Sequence, residues 1–287
     1  MEKNMDDRTS DQTKGKIGPA AKVFLALGVV IFFAEIVFRR WLGPALGVSV
    51  QDTGDFTQWP EMLILGVLFP LCMVLAALVM YRVFDRRSLA GFGFSLDRRA
   101  GAITLAGLLL MIGGFGILLV LIRQFGIAQW RVSPRIQWRF VVAAAATYIG
   151  TGVWEEVYFR GYVFKTLTAY GKVPAYIISI AVFVLIHFAE EAFVLSRILN
   201  LVLVSFFLTF VFDKTRSLWP GMILHGCWNL MYFLVIANQC RVSFLIVSGD
   251  VLGASRFLST VLHVVLLFVV WVMYRYCYEP CKKTRVM

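Results

Sequence analysis

Charge is what this chain has least of. Only 16% of its 287 residues are Asp, Glu, Lys or Arg, against about 25% in an ordinary soluble domain, and that shortage excludes the usual water-facing globular surface. Acidic residues are fewer than basic ones, 17 against 28. The five cysteines, Cys72, Cys227, Cys240, Cys277 and Cys281, form no CxxC pair, so neither a disulfide framework nor a thiolate metal site is suggested. Cys281 is not the fourth residue from the C-terminal end, so no terminal prenylation box is expected. There is no HExxH motif, no long Ser/Gly/Pro linker, no low-complexity tract and no clear internal repeat. The apolar runs are far longer than strands, and no series of roughly ten-residue alternating segments suggests an outer-membrane barrel.

What is present is apolar length. The chain is 60% hydrophobic and 15% aromatic, and eight apolar stretches are long enough, or nearly so, for a bilayer core of about 30 Å, which takes about 20 helical residues. They lie at about 20–38, 61–81, 101–122, 140–167, 174–193, 195–212, 217–237 and 257–277. The expected fold is all-α, a polytopic transmembrane helix bundle of about eight spans. Seven is the alternative, because Glu190 and Glu191 sit near the junction of the fifth and sixth. One domain is expected: a cytoplasmic tail at 1–19, a transmembrane bundle over 20–277 and a C-terminal tail at 278–287.

Lys and Arg set the orientation. With eight spans and the N-terminus inside, the inside segments hold Lys14, Lys16, Arg82, Arg86, Arg87, Lys214, Lys282 and Lys283 among others, and the outside segments hold fewer. Both termini are therefore expected in the cytoplasm. The net charge of +11 then comes from residues flanking the spans and facing anionic lipid, and they do not interleave with aromatics as in a nucleic-acid surface. No nucleic-acid partner is expected. The first apolar run reads as an uncleaved span. The loop Asp85 to Arg99, basic at both ends and punctuated by Gly91 and Gly93, suits an interfacial connector, and the broken stretch from Arg241 to Arg256 could lie along the outer interface.

Against this background three polar constellations stand out. Glu155 and Glu156 are adjacent inside an apolar stretch, with Arg160 four residues on; each such charge at helix centre costs about 2.5–3.5 kcal/mol on insertion scales. Four-residue spacing puts Glu156 and Arg160 on one helix face, where they can pair, whereas Glu155 is turned about 100° away. Phe183 and His187 share a face in the same way, and so do His225 and Asn229, with Gly226 between them permitting close approach of a neighbour. Each has a plainer reading: a structural buried ion pair, a hydrogen-bonding histidine, interhelical polar glue.

Taken in order, Glu155-Glu156-x-x-x-Arg160, Phe183-x-x-x-His187 and His225-x-x-x-Asn229 resemble the motifs of the CPBP family of intramembrane proteases, which includes the type II CAAX prenyl endopeptidases and bacterial Abi-like relatives. The resemblance covers about 140–237, the protease-like core. It implies an intramembrane endopeptidase that hydrolyses a peptide bond of a membrane-associated or lipidated protein or peptide. Glu155 would activate a water, His187 would position it, and His225 and Asn229 would hold the oxyanion. Glu156, Arg160 and Phe183 would orient the site. No cofactor is required on this reading. Zinc is the alternative, with Glu155, His187 and His225 as the ligand set of a catalytic site.

Other marked residues have structural readings. Glu35 and His263 are assigned to the bundle interior or interface, Glu190 and Glu191 to a cavity mouth or a solvated turn, Trp154, Tyr158 and Trp228 to packing beside the site, and Pro70 to a kink. The rival to an enzyme is a non-catalytic membrane scaffold, immunity protein or transporter, although transporters usually show internal repeats. The expected location is a multi-pass position in a bacterial plasma membrane. Substrate identity, its prenylation and the oligomeric state are left open by the sequence.

Overall fold

The computed structural model describes residues 17–46, 59–187, 194–235, 244–249 and 251–278. The expected tails, 1–19 and 278–287, lie almost wholly outside the described residues, as do Glu190 and Glu191. The described chain is helical along nearly all its length. In order it forms α1 (Pro19–Ala45), α2 (Trp59–Phe84), α3 (Arg98–Gln124), β1 (Ala128–Val132), α4 (138–167), α5 (Lys172–His187), α6 (Leu195–Thr215), α7 (Trp219–Val235), β2 (Leu245–Gly249) and α8 (251–278).

Helix starts follow local chemistry. Pro19 opens α1, where its fixed φ suits a first turn and its missing N–H costs nothing. Asp97 caps α3, its carboxylate accepting from the Ala100 N–H at 2.7 Å. Four helices, α1, α2, α3 and α6, are individually long and apolar enough to cross a bilayer. Of the rest, α5 and α7 have 16 and 17 residues among those described, about 24–26 Å at 1.5 Å per residue, and that described length is less than the hydrocarbon core. α4 interrupts its apolar run with Glu155, Glu156 and Arg160, and residues 260–275 of α8 form a further short apolar stretch. The fifth apolar stretch, expected to run to 193, is helical to His187, and 188–193 lie outside the described residues.

The surface is apolar and the centre is polar. Large side chains point outward from the helices, among them Phe24, Leu71, Leu105, Leu109, Ile112 and Leu185, an arrangement that water would penalise and lipid tails accept. Glu155, Glu156, Arg160, Ser205, Thr209 and His225 are buried instead. This is an all-α integral membrane protein. Its largest buried cluster gathers α1, α2, α4 and α5 around Trp154, Phe159, Tyr162 and Phe183, and a second joins α3, α6, α7 and α8 around Phe207, Leu208 and Leu266.

One element differs from the sequence-based expectation. β1 and β2 pair antiparallel, Ala128 opposite Gly249 and Val132 opposite Leu245, where no strand was expected and 241–256 was assigned to the interface. The ribbon is tied down by the Trp130 indole, whose Nε1–H donates to the Leu119 carbonyl at 2.8 Å. Pro70 stays inside α2 and is buried.

α4 is the central helix, packed along α2 on one side and α7 on the other. Both crossings depend on missing side chains. A Cβ at Gly152 would stand 2.4 Å from the Gly226 nitrogen, and one at Gly226 would stand 2.9 Å from the Ile149 Cα. Backbone therefore touches backbone where α4 and α7 cross, three residues before Glu155 and one after His225.

Candidate active site

α4 changes character at the acid pair. Its regular α-helical part ends at Glu155, and Glu156–Phe164 continues with wider i→i+5 turns, a form that also occurs at Phe32–Leu42, Met80–Phe84 and Met273–Tyr278. Glu155 and Glu156 straddle that junction and are both buried, at 6% and 1% exposure.

Glu156 is fully engaged. Its Oε1 accepts from Arg160 Nη1 at 2.7 Å and from His225 Nδ1 at 3.0 Å. Its Oε2 lies against α7 so closely that a Cβ at Gly221 would come within 2.7 Å of it. Arg160 is completely buried, which is expensive for an ion unless every donor finds a partner. Here the partners come from α6: Nη2 donates to the Ser205 carbonyl and to Ser205 Oγ, both at 3.1 Å, and Nε donates to Thr209 Oγ1 at 3.4 Å. The Phe183 ring covers the guanidinium face at 4.8 Å.

Glu155 is placed differently. Its Oε2 is buried and has no hydrogen-bond partner among the described residues, yet two imidazole nitrogens face it: His187 Nε2 at 3.9 Å and His225 Nε2 at 3.8 Å. The opposite nitrogen of each ring is committed. His187 Nδ1 stands 2.8 Å from the Phe183 carbonyl, which can only accept, so Nδ1 carries the proton. His225 Nδ1 faces the carboxylate that Arg160 neutralises, and the same argument puts a proton there. In their neutral forms both rings therefore turn a lone pair toward the carboxylate oxygen. In those forms three acceptors converge on one point, and a water, a second proton on one imidazole or a cation would join them.

The tilt of His187 is set by Phe183, whose ring lies 4.5 Å from the imidazole and 5.0 Å from Phe159. Asn229, half-buried one turn beyond His225, makes no side-chain hydrogen bond among the described residues. Next to His225, on the side of α3, α6 and α8, lies a cavity of about 20 Å³ lined by Val204, Phe207, Leu208, Leu224, Trp228 and His263 with others. Its lining is apolar apart from the two histidines.

Of the residues assigned structural readings, His263 is buried and packs edge-on against Trp228 at 4.8 Å. Glu35 pairs with Arg39 at 3.1 Å on a half-exposed face, and Trp154 meets Phe69 of α2 edge to face at 5.5 Å. All three stand apart from the convergence on Glu155. Sequence reasoning passed over Ser205 and Thr209. The available signal was two hydroxyls four residues apart in an otherwise apolar run.

Zinc can be tested against this geometry. Ligand atoms about 2.0–2.1 Å from a tetrahedral zinc stand about 3.3–3.4 Å apart, closer than the 3.8 and 3.9 Å separating Glu155 Oε2 from the imidazole nitrogens. Among the described residues no group of three His, Cys, Asp or Glu side chains is arranged to hold a metal ion. The donor chemistry suits zinc, and the spacing would have to contract by about half an ångström.

Comparison with known proteins adds one match. The family model described as Rce1-like, type II CAAX prenyl endopeptidase Rce1-like, matches residues 137–231, which contain both glutamates, Arg160, both facing histidines and Asn229. No curated protein matches the chain. The match over residues 137–231, about a third of the chain, supports membership of the CPBP family, to which the type II CAAX prenyl endopeptidases belong.

Proposed function

We propose that the chain is an intramembrane endopeptidase that hydrolyses a peptide bond with a water activated by Glu155. The observation that carries this reading is the buried, unpartnered Glu155 Oε2 facing two imidazole Nε2 atoms at 3.8 and 3.9 Å. Those separations are too long for direct hydrogen bonds, which lie near 2.7–3.2 Å. A single water about 2.8 Å from the carboxylate oxygen and from an imidazole nitrogen fits between them, subtending an angle of about 90°.

Glu155 takes one proton from that water, and His187 orients the developing hydroxide toward the scissile carbonyl carbon. As the C–O bond forms, the carbonyl oxygen gains negative charge. Protonated His225, held by the Glu156 carboxylate, and the Asn229 amide donate to it. Glu155 then passes its proton to the amide nitrogen, the C–N bond breaks, and an acid and an amine leave. Glu155 and Glu156 as carboxylates, with Arg160 and protonated His225, make the resting site electrically neutral, which suits its burial.

The chain crosses the membrane eight times in this reading, with both termini cytoplasmic. α7 begins at Trp219 on the cytoplasmic side, and His225, six residues along, lies about 9 Å in. The substrate is a membrane-associated or lipidated protein or peptide, and the setting is a bacterial plasma membrane. A zinc ion on Glu155, His187 and His225 is the second reading, favoured by the convergence of three acceptors on one point. There the metal would supply a polarised water.

The test is hydrolysis by purified protein in proteoliposomes, offered peptides with and without a C-terminal lipid and read by mass spectrometry of the products. Cleavage that survives exhaustive chelation supports the metal-free route. Loss restored specifically by zinc establishes the second reading. A folded, reconstituted protein that cleaves no peptide of either class, and whose cellular role survives His187→Ala, would be a scaffold or transporter instead.

A further inference from the structure

The three motifs lie on α4, α5 and α7, yet the buried guanidinium at their centre is held from a fourth helix. Ser205 and Thr209 are four residues apart on α6 and both fully buried. Ser205 Oγ and the Ser205 carbonyl each accept from Arg160 Nη2 at 3.1 Å, and Thr209 Oγ1 accepts from Nε at 3.4 Å. Ordinary helix threonines in this protein do something else: Thr104, Thr147, Thr151 and Thr215 return their hydroxyl hydrogens to the carbonyl four residues back, at 2.8–3.0 Å. Among the described residues Ser205 and Thr209 make no such bond and present their oxygens to Arg160.

The consequence runs through one atom. Glu156 Oε1 is shared by Arg160 Nη1 at 2.7 Å and His225 Nδ1 at 3.0 Å. A guanidinium fixed by α6 on one edge therefore fixes the carboxylate that aims the His225 ring, whose Nε2 faces Glu155 at 3.8 Å. We propose that Ser205 and Thr209 are positioning residues for hydrolysis, setting the direction of His225 through Arg160 and Glu156. This rests on the roles proposed for Glu155 and His225. α6 then belongs to the active site without touching substrate, and the hydroxyls are required there because a buried guanidinium offers five N–H donors that Glu156 alone cannot satisfy.

The experiment compares Thr209→Val, Ser205→Ala, their double variant and the hydroxyl-preserving Thr209→Ser. kcat and KM on a cleaved peptide, the pH dependence of kcat/KM, and the thermal midpoint are measured for each. The double variant should lose at least about tenfold in kcat with KM within about twofold, and a limb of its pH profile should move, because a loosened His225 no longer has a fixed proton partner. Thr209→Ser should stay within about twofold of wild type. A kcat that is unchanged, or that falls only with the folded fraction while the pH profile stays in place, overturns the proposal. ¹⁵N-histidine NMR of the protein in micelles gives a readout without substrate. The His225 Nδ1 signal should move in the double variant, and an unmoved signal would refute the linkage. Glu155→Gln in the same assay separates the two failures: if it is active the underlying reading is wrong, and if it is dead while the double variant is normal only the role of α6 is.

Discussion

Replacing Gly152 by alanine should separate α4 from α7 and inactivate the protein out of proportion to its loss of stability. The added Cβ would sit 2.4 Å from the Gly226 nitrogen, 2.6 Å from its Cα and 3.1 Å from the Met222 carbonyl oxygen, all of them backbone atoms. No side chain can swing aside, so the helices must part by about 1 Å to reach ordinary contact distance. Alanine gains about 1 kcal/mol over glycine inside a helix, whereas forcing a methyl into a packed interface costs about 1–3 kcal/mol. The net effect on stability is therefore a modest loss of up to about 2 kcal/mol. The effect on rate is larger, because the same movement pulls the 3.0 Å contact between His225 and Glu156 apart, and a misplacement of about 1 Å can cost about 100-fold. Gly113→Ala on α3, where a Cβ meets nothing within 4 Å, is the control and should keep full activity with unchanged or slightly raised stability. Thermal unfolding in detergent and peptide cleavage measure the two effects. Gly152→Ala with wild-type activity and midpoint would refute the backbone contact as the device that aligns the site.

Two further outcomes follow from contacts away from the site. Lys165 donates to the carbonyls of Gly91 and Phe92 and lies 5.5–5.7 Å from the rings of Tyr81, Phe92 and Phe212, so Lys165→Met should cost about 1–3 kcal/mol in unfolding and speed proteolysis within residues 85–97; equal proteolysis rates would show that Lys165 is not the staple of that loop. Glu35→Gln breaks only a half-exposed pair with Arg39 and should change stability by no more than about 0.5 kcal/mol, with activity untouched; a loss of cleavage would move Glu35 into the reaction.

The local part of this architecture was readable from the sequence because helices express spacing directly. Four-residue intervals carry the contact of Glu156 with Arg160 and the ring contact of Phe183 with His187, each within its own helix. Apolar length carries α1, α2, α3 and α6. Pairings between distant segments were not readable in that way. That Glu156 is shared with His225, 69 residues on, and that Arg160 is held from α6 depend on how helices cross, which no interval along the chain encodes. The β1–β2 ribbon was missed for a related reason: its five-residue strands are short, of mixed polarity and far apart in sequence. Span counting was limited by the candidate site itself, since the charges of α4 and the short described lengths of α5 and α7 weaken the apolar signal where the polar groups cluster.

Glu155 is the residue on which this reading turns, and Glu155→Gln tests it with almost no change of shape. The measurement is single-turnover cleavage by the reconstituted variant beside wild type, with the thermal midpoint of each. Loss of a general base predicts a fall of at least about 100-fold at a near-normal midpoint. A Glu155→Gln protein that folds normally and cleaves at the wild-type rate would contradict the assignment.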